Sequence, residues 1–148
     1  MNNDLCVMAC FDNNNLCGYL IASSIEYNRQ FPLLATMIDC FDKIIYKGKS
    51  LNKYKSYISG PGCVDKKHRG HGIYLKLVQN VLDFLKQQSN PPDLRVLFVS
   101  TENSISINAQ KKVGMEIVGQ FEFNNKIFLI LVMPLQPEFK CEMQNNNG

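Results

Sequence analysis

The sequence predicts an α/β domain with a mixed sheet, on three observations. Short apolar runs bounded by turn residues alternate with segments whose apolar residues recur at helical spacing. Paired strand patterns joined by Asn-containing turns stand near both ends of the chain. Between them the stretch "KKHRGHGIYLKLV", residues 66–78, joins a strand to a helix through closely spaced glycines.

The elements follow in order. "DLCVMACF" and "LCGYLIASSI" flank "DNNN", and Asp and Asn tolerate the backbone a hairpin turn needs, so these read as two antiparallel strands. "FPLLATMIDCFDKIIY", residues 31–46, sets Leu33, Leu34, Met37, Ile38, Phe41, Ile44 and Ile45 on one helical face, with Pro32 at its start. "KGKSLNKYKS" is a polar connection. "YKSYISGPGCV" is a strand whose Gly60, Pro61 and Gly62 mark a bulge or a place where pairing stops. After the glycine turn, Ile73, Leu77, Val78, Val81, Leu82 and Leu85 form the inner face of a helix ended by "SNPPD". "LRVLFVS" is a nearly continuous apolar strand of the kind buried on both faces. "ENSISINAQKKVG" is a shorter helix stopped by Gly114 after a lysine-bearing last turn. "EIVGQFEF", an Asn124-Asn125 turn and "KIFLILVM" form a closing hairpin. Residues 1–136 therefore read as one domain, and the polar residues 137–148 as a disordered tail.

The 148 residues, 45% hydrophobic and 20% charged, suit a single globular domain with a substantial core. No apolar run reaches the length of a membrane span, and no secretory leader is evident, so a cytoplasmic protein without a membrane partner is expected. The net charge of +3 equally suits a small polyanionic ligand or a solvated face. No long basic stripe with interleaved aromatics supports nucleic-acid binding. Cys6, Cys10, Cys17, Cys40, Cys63 and Cys141 form no CxxC pair and stand at no metal-ligand spacing with histidine. Reduced thiols and no metal are expected.

A strand that stops, a turn with Gly70 and Gly72, and a helix from Ile73 leave backbone N–H groups unpaired with the positive end of the helix dipole behind them. That makes an anion site, with Arg69 at its rim as a further donor. The alternative is a tight turn whose glycines serve geometry alone. The stretch matches neither a P-loop nor a dinucleotide fingerprint.

"CVDKKHRGHGIYLKLV" resembles motif A of the GNAT N-acetyltransferase superfamily, Arg/Gln-x-x-Gly-x-Gly/Ala at a helix start, with Arg69 at the first position and Gly72 at the fourth. "GPGCV" looks like that family's bulged central strand. "TENSISINAQKKVGMEIVG" resembles its motif B, with Asn103, Ser106, Lys112 and Gly114 in register and Met115 where Phe is usual. The resemblance spans residues 5–135. It implies a GNAT-like mixed, mostly antiparallel sheet with helices on both faces and a bulged central strand. The family's N-terminal strand and helices are not recognised ahead of the first hairpin. A sheet edge exposed there implies a possible homodimer by strand addition.

The implied activity is acetyl transfer from acetyl-CoA to a primary amine by direct attack, on a small-molecule or peptide acceptor. The implied alternative is a GNAT-like module that binds CoA without catalysing. Backbone at Cys63 and Val64 would pair with the pantetheine arm. The N–H groups of Arg69, Gly70, His71, Gly72, Ile73 and Tyr74 would hold the pyrophosphate, and Asn103 and Ser106 would contact the cofactor from the far side.

Two further positions depart from the pattern, and the central strand lacks a carboxylate. Tyr74 replaces a small residue; its ring can crowd the pyrophosphate, pack in the core, or lend its hydroxyl as a donor. Gln110 stands where the family often has an acid tyrosine. No carboxylate lies on "YISGPGCV", which leaves Glu26 as the candidate base, with Cys63 beside the expected acetyl carbon as a candidate thiol.

Overall fold

The computed structural model describes residues 4–136. The expected disorder of residues 137–148 and the state of Cys141 lie outside the described residues. The strands are β1 (Leu5–Asp12), β2 (Asn15–Ser24), β3 (Ile45–Tyr46), β4 (Lys49–Ser50), β5 (Ser56–Val64), β6 (Leu94–Ser100), β7 (Glu116–Phe123) and β8 (Lys126–Pro134). The helices are α1 (Ile25–Asn28), α2 (Pro32–Asp39), α3 (Ile73–Lys86) and α4 (Ser104–Val113), with single 3₁₀ turns at Phe41–Lys43, Leu51–Lys53 and Lys66–His68. Six strands form one sheet in the order β1-β2-β5-β6-β8-β7, while β3 and β4 make a small separate hairpin. Within the large sheet only β5 and β6 run parallel. The mixed, mostly antiparallel sheet expected from the sequence is present.

Both terminal hairpins turn on asparagine pairs in the left-handed region. Asn13 and Asn14 have φ of 48° and 72°, and Asn124 and Asn125 have 51° and 64°. A two-residue turn needs this conformation at both positions, and Asn tolerates it because its short polar side chain bonds locally.

The helix expected over residues 31–46 is shorter. It stops at Asp39, and the chain continues through a 3₁₀ turn into β3. Ser50 Oγ donates to the carbonyls of Phe41 and Asp42, at 3.0 and 2.9 Å, and Leu51 N–H donates to Ile44 O at 2.9 Å. These donors take the carbonyls that further helical turns would have used. Phe41 still reaches the core, but Ile45 points to solvent, so the apolar spacing beyond Phe41 misled. The polar connection beginning at Lys47 holds the β3–β4 hairpin, turned at Lys47 and Gly48, both with positive φ.

The sheet is covered on both faces. On one, Met37, Ile38 and Phe41 pack on Ile58, Leu94, Val96, Phe121, Ile130 and Val132. On the other, Leu77, Val78, Val81 and Leu82 of α3 pack on Leu20, Ala22 and Tyr57, and Ile107 of α4 packs against Leu97, Val99 and Leu131. "LRVLFVS" is buried on both faces as expected, yet that burial includes Arg95, which is 0% exposed.

The central seam positions the site. β5 and β6 pair only at Ser56–Ile58 with Leu94–Val96 and then part. Against β2, Leu20 is opposite Gly62 and Ala22 opposite Ser59, so Gly60 and Pro61 together face Ile21. This is the bulge expected near Gly60, and it bends β5 away from β6. A Cβ on Gly62 would come within 2.8 Å of Leu20 Cδ1, so the close approach needs glycine there.

Met37 is wholly buried between α2 and the sheet. Met37→Ala is expected to lower stability by about 2–5 kcal/mol. Chemical denaturation with an unchanged m-value checks this; a change below about 1 kcal/mol would mean that α2 is not part of the core.

Candidate active site

β5 delivers the chain to the glycine loop. After the Lys66–His68 turn, Gly70 and Gly72 adopt φ of 83° and 76°, and Gly72 is the N-cap of α3. A Cβ at either glycine would meet nothing within 4 Å, so glycine is required by backbone conformation and not by space. Lys76 N–H bonds to Gly72 O at 3.0 Å. Among the described residues, none accepts from the N–H groups of residues 70–75. The loop therefore presents open donors at the positive end of a helix of 14 residues. Arg69 is exposed, and its Nε donates to Val64 O at 3.0 Å, which anchors the rim to the end of β5.

His68 braces this loop. Its Nδ1 lies 3.2 Å from Asp65 Oδ2 and its Nε2 3.2 Å from Asp12 Oδ2, so the imidazole ties the tip of the first hairpin to the loop. The carboxylates of Asp12 and then Asp65 raise its pKa above the ordinary histidine value.

Where β5 and β6 part, a cavity of about 430 Å³ opens. Leu34, Ile58, Leu97, Phe98 and Val99 supply its apolar wall, and Ser59, Tyr74, Ser106 and Gln110 its polar groups. Ser59 Oγ is buried and has no partner among the described residues. Beyond Ile58 the edge of β5 that faces β6 is unpaired.

One polar network crosses the seam. Tyr74 Oη accepts from Gln110 Nε2 at 2.8 Å and from Arg95 Nη2 at 3.1 Å, while Arg95 Nη1 lies 3.4 Å from Gln110 Oε1. The phenol thus bridges the first turn of α3, the strand β6 and the helix α4. Arg95 Nε has no partner, and among the described residues no carboxylate pairs with the guanidinium. Burial pushes the neighbouring Tyr57 phenol well above its usual range, and the Arg95 cation only partly opposes that.

The residues named from the sequence separate into groups. Arg69, Gly70, His71, Gly72, Ile73 and Tyr74 form the loop and the first turn of α3. Of these, only Tyr74 also lines the cavity, where Ser106 joins it. Asn103 caps α4, its Oδ1 accepting from Ser106 N–H at 3.0 Å, and is not among the cavity residues. Cys63 and Val64 lie on the parted half of β5; Cys63 is exposed and does not line the cavity. Glu26 is not among the residues that line the seam cavity. It sits in α1 beside the start of β5, where β5 and β6 are still paired, with its side chain 87% exposed and facing Arg29. Sequence reasoning missed Arg95 and Ser59. The only available signal was a cation inside an otherwise apolar strand run.

No protein-family model and no curated protein sequence matches the chain, but solved structures do match its fold. An N-acetyltransferase from Staphylococcus aureus Mu50 is 19% identical, with a TM-score of 0.59 over 86% of this chain and 69% of that one. Arabidopsis thaliana NAA60 in complex with acetyl-CoA is 16% identical, with a TM-score of 0.61 over 90% and 77%. The ribosomal-protein-S18-alanine N-acetyltransferase from Escherichia coli is 11% identical, with a TM-score of 0.59 over 92% and 72%. The chain has the fold of the GNAT N-acetyltransferases. Among the described residues no helix is long and apolar enough to cross a membrane.

The raised pKa of His68 fixes the sign of a pH effect. The brace contributes fully below the unperturbed value of about 6.5 and is lost as pH rises through the raised one. Asp12→Asn should therefore destabilise the protein at pH 5.5 and have a much smaller effect at pH 8.5; equal urea-midpoint shifts at both would refute the brace. Thiol labelling gives a second check. The five cysteines among the described residues are free. A contact of 3.0 Å with Cys10, together with burial, pushes Cys17 up to about 11. Exposed Cys63 should be alkylated first at neutral pH and Cys17 only on unfolding, as read by peptide mass mapping.

Proposed function

We propose that this chain is an acetyl-CoA-dependent N-acetyltransferase that transfers the acetyl group to a primary amine by direct attack. The observation that carries this reading is the succession of three features in a GNAT fold: open loop donors, the unpaired edge of β5, and the cavity at the seam. The N–H groups of residues 70–75 would hold the pyrophosphate, with the outer nitrogens of Arg69 beside it. Backbone at Cys63 and Val64 would receive the pantetheine arm as an added strand, and the orphaned Ser59 hydroxyl and Ser106 would offer polar contacts deeper in. Bound acetyl-CoA supplies an acetyl thioester already activated toward amines.

The chain's own contribution is orientation in a largely apolar pocket, where two reactants held in place gain a large effective molarity. Among the described residues the cavity lining contains no Asp, Glu or His. The acceptor amine must then arrive neutral or release its proton to water, so the rate is expected to rise with pH toward the amine's own pKa. The apolar side formed by Leu34 and Phe98 suits a small-molecule or peptide amine whose neighbouring carbons are uncharged.

That same lining favours a second reading, a GNAT-like module that binds CoA without turnover. Calorimetric titration with acetyl-CoA followed by a broad amine screen separates the two. Micromolar binding with turnover supports the enzyme, binding without turnover supports the module, and absence of binding removes both. In wild type, ligand at about 100 times its dissociation constant should stabilise by roughly 2.7 kcal/mol in a thermal shift. Gly72→Val, which forces a β-branched residue into the left-handed region and covers the donors, should remain folded and lose that shift.

A further inference from the structure

The loop and the seam cavity are separate spaces that share one side chain. Tyr74 lines the cavity, whereas none of residues 69–73 does. Its hydroxyl is held from β6 by Arg95 and from α4 by Gln110. Its ring edge lies against β5, since a Cβ on Gly62 would stand 3.3 Å from Tyr74 Cε1. The phenol therefore spans the opening from α3, past β5, to α4. A ligand with its head on the loop and its arm in the cavity has to pass this bar.

Resting on the acetyl-CoA reading, we propose that Tyr74 is the specificity-determining residue for ligand length. With the bar closed, the loop accepts a diphosphate head alone. With it swung aside, the site accepts a diphosphate carrying an arm that reaches the cavity. The hydrogen bonds also set the chemistry of that arm. Arg95 is 0% exposed and Gln110 8%, and both donate to the phenol oxygen. When Tyr74 leaves, their N–H groups lose that acceptor, an arm filling the cavity keeps water from replacing it, and Arg95 Nε already lacks one. An arm that keeps the bar open must bring acceptors of its own, as amide carbonyls do. A purely alkyl arm would leave the donors unsatisfied. Because opening is unfavourable in the free protein, apparent affinity for long ligands is lowered by the open fraction, while affinity for the head alone is untouched.

The test compares ADP, a diphosphate head without an arm, with desulfo-CoA, a diphosphate with an amide-bearing arm, by calorimetry on wild type, Tyr74→Ala and Tyr74→Phe. Circular dichroism and thermal unfolding confirm that each variant is folded. Tyr74→Phe keeps the ring but loses the latch, so it carries the test should Tyr74→Ala fail to fold. ADP affinity is expected to be unchanged throughout, while desulfo-CoA affinity rises about tenfold to a hundredfold in the variants. Equal desulfo-CoA affinity in all three proteins would overturn the bar and leave the proposed function standing. A weaker affinity in the variants would make Tyr74 a ligand contact and overturn the bar as well. A gain shared equally by ADP would mean that Tyr74 only crowds the loop, which also overturns it. If no protein binds either ligand, the acetyl-CoA reading falls and the bar falls with it.

Discussion

The structure depends on a discontinuity at the centre of its sheet. β5 stays paired with β2 as far as Val64, and β6 stays paired with β8 along its whole length, but β5 and β6 hold each other over only three residue pairs. Each half of the sheet keeps its ladder, so the loss of pairing is confined to one seam. The two-for-one bulge at Gly60 and Pro61 provides the bend, and the glycine at position 62 lets Leu20 close against β5. The geometry of the candidate site follows from that parting. It opens the cavity, frees one backbone edge, and aims the end of β5 at the turn that caps α3.

At the base of the seam sits a buried cation with neutral partners. Removing a guanidinium from water is expensive, and here Gln110 and Tyr74 supply the acceptor atoms that offset part of that loss. This gives a physical reason for the residues found on the two flanking helices. With Arg95 buried in β6, a small side chain at position 74 would strand its donors, whereas a phenol on α3 and an amide on α4 reach them together. Tyr74 and Gln110, each a departure from the family pattern when read singly, form one network in the fold.

The site is strong in donors and poor in acids and bases. Backbone N–H groups, a rim arginine and hydroxyls stand along the loop and the seam. The cavity wall offers shape and apolar surface in place of proton transfer. An acyl thioester needs little more than a correctly placed neutral nucleophile, so such a site can run on orientation.

The order of the six sheet strands and of α2, α3 and α4, both terminal hairpins, the bulge and the glycine loop were legible in the sequence, because each is a local preference. Asn pairs tolerate left-handed turns, glycines permit positive φ at helix starts, and apolar spacing betrays which face is covered. Long-range partners were not legible. Residues 40–46 kept a helical spacing, yet Ser50 and Leu51 took their carbonyls and ended the helix early. Glu26 follows β2 closely in sequence, and strand register sets it beside the paired end of β5. Tyr74 could have packed inward, crowded a ligand or donated to one. Only the meeting of α3, β6 and α4 decided that its hydroxyl is gripped by Arg95 and Gln110, since contacts among distant segments are set by the packing of the whole sheet and not by any residue's neighbours in sequence.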